Sequence, residues 1–279
     1  MLDARDLVAS QVGGARLDRL VGPGTSTWVY AGHPPDGGPP VAVKVLNPRY
    51  ADEGPLEERF RREAAIAARL PHDNVVRILD QGRDGDLRYF TMPLYPASLA
   101  SLIHDRTIDE GAAVRIGRDV ACGLAVAHRV GLVHRDVKPA NVLVAEDGRA
   151  VIADFGIAQP IRAAPAGKVH MTLGTPHYIS PEQAQGRPLD GRADLYALGV
   201  ALYRATTGRA PFHSTDWFTL ARKHVEEAPP SPRRYRPELS PAFEQIVLRC
   251  LAKHPADRFP SANALALALG MVGPAGTGP

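Results

Sequence analysis

The sequence predicts an α+β fold of two lobes, a β-rich front part with one main helix followed by a mostly α-helical rear part. Three observations predict it. Short apolar runs broken by turn residues fill the first third of the chain. Apolar residues at helical spacing dominate from about Ala97 onward. The chain of 279 residues, 44% hydrophobic and 23% charged, is large enough to bury one or two cores without disulfides or structural metal. A β part followed by an α part places the expected ligand site in a cleft between two lobes, with the join near Pro93–Ala97.

Taken in order, residues 1–13 read as an N-terminal extension and 14–93 as the front lobe. Within that lobe Arg16–Val21, Thr27–Ala31, Val41–Leu46, Val75–Leu79 and Leu87–Met92 read as strands. The helix between them runs from about Pro55 to Leu70, with Phe60, Ala64, Ala67 and Ala68 on one face and Pro55 suited to its first turn. Residues 94–271 form the rear lobe, with helices expected near Glu110–Val130, Arg192–Thr207, Asp216–Glu226, Pro241–Leu251 and Ser261–Met271. Between Asp154 and Glu182 no periodicity is sustained, and so long an irregular stretch inside a domain is usually functional or disordered. Residues 272–279, rich in Gly and Pro, read as a flexible tail or the start of a linker.

Composition narrows the function classes. Cys122 and Cys250 sit in apolar helical contexts without a CxxC partner, so both read as buried packing residues suited to a reducing cytoplasmic setting. The apolar stretches Leu195–Ala205 and Ala262–Val272 are too short to span a bilayer, and the N-terminus lacks the apolar region of a signal peptide. A net charge of +3 with scattered arginines argues against nucleic acid as the main partner.

The chemistry-bearing residues fall in two groups. In the front lobe, Gly22-Pro-Gly24-Thr-Ser-Thr27-Trp-Val29 is a Gly-rich turn between two strands, where small residues let backbone amides approach phosphates. Such a turn is ordinary in any hairpin, and it gains meaning from Lys44 on the next strand and Glu63 on the following helix. A carboxylate there can hold the ammonium against phosphate oxygens through charge-assisted hydrogen bonds. In the rear lobe stand His134-Arg-Asp136-Val-Lys138-Pro-Ala-Asn141 and Asp154-Phe-Gly156. Phosphoryl transfer needs a carboxylate near the attacking hydroxyl, oxygen ligands for magnesium and cations around the transferring group, and this segment holds all three.

With these motifs the chain resembles the Hanks-type protein kinases, particularly bacterial serine/threonine kinases, over about residues 14–271. The resemblance implies the bilobal protein-kinase-like fold, with 154–182 as activation segment. It also implies ATP and Mg2+ as cofactors, with Mn2+ as an alternative metal, and Ser/Thr-bearing proteins as substrates. By the same resemblance Asp136 is the catalytic base, Lys138 steadies the γ-phosphate, and Lys44 with Glu63 binds phosphate. Gly22, Gly24, Thr25, Ser26, Thr27 and Val29 belong to the nucleotide loop. Val29, Ala42 and Leu143 surround adenine, Met92 is the gatekeeper, and Pro93 and Tyr95 offer hinge backbone. Asn141 and Asp154 are the metal ligands. Gly174–Glu182 resembles the end of the activation segment, Asp194–Gly199 the buried helix under the catalytic loop, and Arg258 the ion-pair partner of Glu182.

Three departures stand out: Thr27 for the third glycine, Pro23 in the turn, and Ser180 before Pro181-Glu182. By the resemblance the phosphate-facing amides are those of Thr25 to Thr27, so Pro23 is expected to cost the turn little. Lys138 and Thr175 favour Ser/Thr over Tyr as acceptor. A small-molecule kinase would lack the Gly174–Glu182 segment, and a scaffolding pseudokinase would have lost Lys44, Asp136 or Asp154. Homodimerisation and a role in bacterial signalling fit the resemblance. Arg135 precedes the catalytic base as in family members switched on by phosphorylation of the activation segment. Phe155 to Met171 hold no Ser, Thr or Tyr. Of the remaining Thr172, Thr175, Tyr178 and Ser180, the resemblance gives Thr175 a bond to the catalytic Asp and Lys138 and places the last two in the packed end, which singles out Thr172 as an expected autophosphorylation site.

Overall fold

The computed structural model describes residues 3–50, 54–104, 106–155, 159–160 and 176–273. The chain divides into two units, Met1–Pro96 with Asp154–Ile157, and Ala97–Ala153 with Ala158–Pro279. Gly156, Thr172, Gly174, Thr175 and the tail beyond residue 273 lie outside the described residues.

The first unit is an antiparallel sheet and a helix. In chain order come β1 (Gln11–Val12), β2 (Ala15–Pro23), β3 (Thr27–His33), β4 (Val41–Leu46), α1 (Gly54–Ala68), β5 (Asp80–Asp84) and β6 (Leu87–Pro93). The strands lie side by side as β1-β2-β3-β4-β6-β5. Every residue of β4 is buried, which is unusual for a strand carrying a lysine. The period of two explains it. Val41, Val43 and Val45 point into one core with Leu17, Trp28 and Tyr30. Leu46 enters a second core with Phe60 and Ala64 of α1 and Phe90 of β6. Ala42 and Lys44 share the face of Leu46, so the strand's own alternation aims Lys44 toward α1. Phe60 and Phe90 meet at 5.0 Å between ring centres, and burying side chains of this size stabilises by roughly 1.5–3 kcal/mol each.

Residues before β1 join the first core. Ala4, Leu7 and Val12 are buried there, and the Tyr30 hydroxyl donates to the Ala4 carbonyl at 2.6 Å. Gly13 makes the turn into β2 with φ of +58°, where a Cβ would lie 2.1 Å from the Tyr89 ring. One strand is displaced from its expected place. Val75–Leu79 were read as the strand, but Val75 and Val76 are buried outside the sheet and the pairing falls on Asp80–Asp84. This strand lies at the sheet edge with all five residues exposed. Charged side chains suit an exposed edge, whereas the apolar run serves the core.

The second unit continues with β7 (Ala97–Ser98), α2 (Leu99–Leu102), α3 (Glu110–Arg129), β8 (Leu132–Val133), β9 (Val142–Val144), β10 (Ala150–Ile152), β11 (Gln159–Pro160) and α4 (Pro181–Ala184). Four longer helices follow: α5 (Arg192–Thr207), α6 (Trp217–Glu226), α7 (Pro241–Cys250) and α8 (Ala262–Gly270). Capping explains several of their starts. Asp109, Asp216, Ser240 and Ser261 each accept a backbone N–H from three residues on. Helix α5 is apolar nearly all round and buried, as a central helix must be. It stops at Gly208, whose φ of 74° is left-handed. The short strands pair as β10-β9-β7 and β11-β8.

Arg258, fully buried, forms a bidentate pair with Glu182 at 2.7 and 2.8 Å. Its other N–H groups donate to the carbonyls of Ala252, Arg192 and Lys253. Cys250 is buried, and burial pushes its thiol up to about 12. Cys122 departs from expectation, because its place on α3 leaves it only half-buried.

Candidate active site

In the first unit the Gly-rich turn joins β2 to β3, with Gly22 opposite Val29 and Pro23 opposite Trp28. Gly24 is needed for the turn itself, since a Cβ there would come 2.6 Å from the Thr27 carbonyl oxygen. Gly22 is different. A Cβ at that position would meet only Val29, at an ordinary 3.7 Å, so nothing within the chain demands glycine there. Asn47, just past β4, anchors the turn: its N–H donates to the Ser26 carbonyl and its side-chain amide to the Thr25 carbonyl, both at 2.9 Å. In a trans peptide the N–H points opposite to the carbonyl. Fixing these two carbonyls therefore turns the N–H groups of Ser26 and Thr27 away from Asn47. No residue pattern signals this anchor, because an asparagine after a strand is common.

Lys44 meets Glu63 through both carboxylate oxygens, at 2.7 and 2.8 Å, and stands 3.8 Å from Asp154. It also lies 5.5 Å from the centre of the Phe90 ring. Burial pushes the Glu63 carboxyl up to about 7; the Lys44 charge opposes that rise and Asp154 adds to it. Asp154 itself has φ of 68°, left-handed backbone that costs a non-glycine residue about 1–2 kcal/mol. Val29 and Met92 are half-buried and Ala42 buried on adjacent strands, Ala42 pairing with both Ala31 and Met92. Pro93 ends β6 opposite Val41, the Leu94 N–H donates to Pro40, and Tyr95 follows half-buried.

In the second unit, the loop after β8 carries Asp136, Lys138 and Asn141. Lys138 Nζ donates to Asp136 Oδ2 at 2.7 Å. Asn141 Nδ2 donates to the same oxygen at 3.1 Å and to the Asp136 carbonyl at 2.8 Å. Both side-chain donors thus reach Oδ2, and among the described residues none reaches Oδ1. Leu143 sits half-buried in β9 between Val151 and Ser98.

The loop is held from below by Asp194, in the first turn of α5 and 1% exposed. Its Oδ2 accepts the His134 N–H at 2.9 Å and His128 Nε2 at 2.8 Å, and its Oδ1 accepts the Arg135 N–H at 2.8 Å. Burial acts to raise the Asp194 carboxyl, but the bond and charge of His128 and the Arg135 N–H prevail and hold it below the usual range. His134, fully buried, accepts the Asp136 N–H at Nδ1, so its Nε2 carries the proton toward the Ala153 carbonyl at 3.0 Å. Arg135 has φ of 69°, a second left-handed non-glycine residue in these loops. Of the hydroxyls near the end of the irregular segment, Tyr178 is buried with its oxygen accepting from Arg204 at 2.9 Å, and Ser180 is buried in a cap.

The class follows from these parts: a sheet whose Gly-rich turn precedes a buried Lys–Glu pair, and a helical unit whose central helix holds an Asp–Lys–Asn loop, define a protein kinase domain. The protein kinase domain model matches residues 15–268, and the chain belongs to that family with its bilobal fold. It is 37% identical over 267 residues to the serine/threonine-protein kinase PknL of Mycobacterium tuberculosis, covering 95% of this chain and 65% of PknL. It is 39% identical over 262 residues to the serine/threonine-protein kinase pkn3 of Myxococcus xanthus, covering 89% of this chain and 48% of pkn3. The chain therefore spans less than two thirds of the length of these relatives. Among solved structures, the Mycobacterium tuberculosis PknI kinase domain aligns with a TM-score of 0.69 at 30% identity, covering 94% of this chain and 97% of that one.

Proposed function

We propose that this domain transfers the γ-phosphate of ATP to Ser or Thr hydroxyls of proteins, its own included. The observation that carries the reading is the division of labour on Asp136: Oδ2 is tied to Lys138 and Asn141, whereas among the described residues no side-chain donor takes Oδ1, the atom assigned to receive a hydroxyl proton. Lys138, held beside that carboxylate, is a cation for the transferring phosphoryl group. Lys44, steadied by Glu63, binds phosphate oxygens, and the amides of the turn Thr25–Thr27 add backbone donors. Val29, Ala42, Met92 and Leu143 supply apolar surface for adenine, with the backbone of Pro93 and Tyr95 for its polar edge.

Asn141 and Asp154 would hold the metal, Mg2+ in preference to Mn2+. The donor set fits: the recorded bonds of Asn141 side chain leave from Nδ2, so Oδ1 is the atom for a cation. Among the described residues no group of three or more His, Cys, Asp or Glu forms a cage, as suits a metal that takes few protein oxygens and completes its shell with water and phosphate. When bound, the ion neutralises charge on the phosphates.

The partners in this reading are ATP and Ser/Thr-bearing proteins in bacterial signalling, without nucleic acid, with a homodimer as the expected assembly and a cytoplasmic setting. Among the described residues no helix is long and apolar enough to cross a membrane. Incubation with radiolabelled ATP, Mg2+ and a generic acceptor protein, followed by phosphoamino-acid analysis, tests the reading. Label on serine and threonine is the expected result. Absence of transfer, or label confined to a small molecule, overturns it.

A further inference from the structure

Resting on that reading, we infer that Gln183 is a positioning residue for the catalytic loop. Gln183 lies in the first turn of α4, where its side chain makes two bonds in different directions. Oε1 accepts the Ser180 N–H at 3.0 Å, and the Ser180 hydroxyl accepts the Gln183 N–H in return, which closes a capping box. Nε2 donates to the carbonyl of Arg135 at 3.1 Å, 48 residues away in sequence. A capping box needs only an acceptor at this position, and glutamate serves it as well as glutamine. The amide donor is therefore surplus to the cap, and its target is the residue immediately before Asp136.

Arg135 needs such a hold. Its left-handed φ of 69° is unfavourable for a side chain with a Cβ, and it persists only where the surroundings determine it. Asp194 Oδ1 fixes the peptide on its N-terminal side by accepting the Arg135 N–H at 2.8 Å. Gln183 fixes the peptide on its C-terminal side, and that peptide ends in the Asp136 N–H, itself donated to His134 Nδ1 at 3.3 Å. The two clamps come from separate helices, α5 and α4. Asp194 belongs to the buried core helix, whereas Gln183 belongs to the short helix that Ser180 caps. Gln183 thus ties the orientation of Asp136 to the cap of α4.

Gln183→Glu separates the two roles, since it keeps the acceptor for Ser180 and loses the donor to Arg135. The expected result is a kcat about tenfold lower with unchanged KM for ATP, because a small misplacement of the base acts on the chemical step. Backbone amide exchange across residues 134–137 should accelerate while the melting temperature stays near that of the wild type. Ser180→Ala is the counterpart. It weakens the cap and leaves the Arg135 bond, so it should lower the melting temperature without accelerating exchange in residues 134–137. Wild-type exchange in Gln183→Glu overturns the inference, as does exchange that accelerates equally in Ser180→Ala. Should the wild type transfer no phosphate at all, the functional reading fails, while the exchange measurement still decides whether Gln183 clamps the loop.

Discussion

Each unit of this domain buries one cation against one carboxylate, and the two pairs are built for different ends. In the helical unit Arg258 spends all five N–H donors: two on Glu182, and three on the carbonyls of Ala252, Arg192 and Lys253. In the β-rich unit Lys44 makes two bonds to Glu63 and stands 3.8 Å from a second carboxylate, Asp154. Burial has also raised Glu63 to about 7, so this carboxyl takes up a proton near neutrality at little cost. The guanidinium is saturated, and the pair is architecture. The ammonium is held by a partner that can release it, with a second carboxylate 3.8 Å away.

The comparison breaks first at Arg258. Removing one partner of a buried pair leaves the other charge uncompensated, at a cost of about 3–5 kcal/mol. Arg258→Ala also orphans three carbonyls, so its melting temperature should fall steeply; a melt equal to that of the wild type would remove this pair from the architecture. Lys44→Met should do the reverse. Loss of one preorganised donor typically lowers kcat by about 10²–10³-fold. Because Glu63 can protonate, the stability loss should stay near 1 kcal/mol, a shift of about 2–4 °C for a domain of this size. A collapse in stability comparable with Arg258→Ala would show the two pairs to be alike.

A finer test uses pH. The folded value of Glu63 lies above its ordinary 4.5, at about 7, so the folded state binds this proton more tightly than the unfolded chain does. Its contribution to stability is then fully present below pH 4.5 and is lost as pH rises through about 7. Glu63→Gln removes that dependence. Melting curves of the variant and the wild type should converge toward the acid end of this window and separate toward its upper end in the variant's favour. Parallel curves would show that Glu63 ionises as freely in the fold as out of it. The smallest effect is expected at Asn47→Ala, which releases the Thr25 carbonyl. Two to threefold weaker ATP binding is on the order of what one modest hydrogen bond sustains, and titration of a fluorescent nucleotide measures it.

What could be read from the sequence was local. The five longer helices from residue 110 onward begin and end within two residues of their expected places, because caps and apolar spacing lie within one turn. The motif residues around Asp136 and Lys44 stand out by residue type and short spacing, and the roles expected of them come from the resemblance to protein kinases. What escaped depends on distance or on competing demands. Val75 and Val76 look like strand residues yet are claimed by the core, and the charged Asp80–Asp84 forms the edge strand instead. The Gln183 bond to Arg135 spans 48 residues and has no sequence signature. The left-handed backbone at Arg135 runs against the preference of that residue and is held by the bonds from Asp194 and Gln183. Residues 1–13 read as an N-terminal extension, although Ala4, Leu7 and Val12 complete a core.

In the proposed reaction Asp136 handles the acceptor's proton while the nucleotide is held elsewhere, and Asp136→Asn separates the two. The asparagine keeps an oxygen for Lys138 and Asn141 but cannot take a proton. Phosphate transfer to a protein acceptor, measured with ATP affinity on the same preparation, should fall by about 10²–10⁴-fold while nucleotide binding stays within a factor of about two. Undiminished transfer by Asp136→Asn would contradict the account.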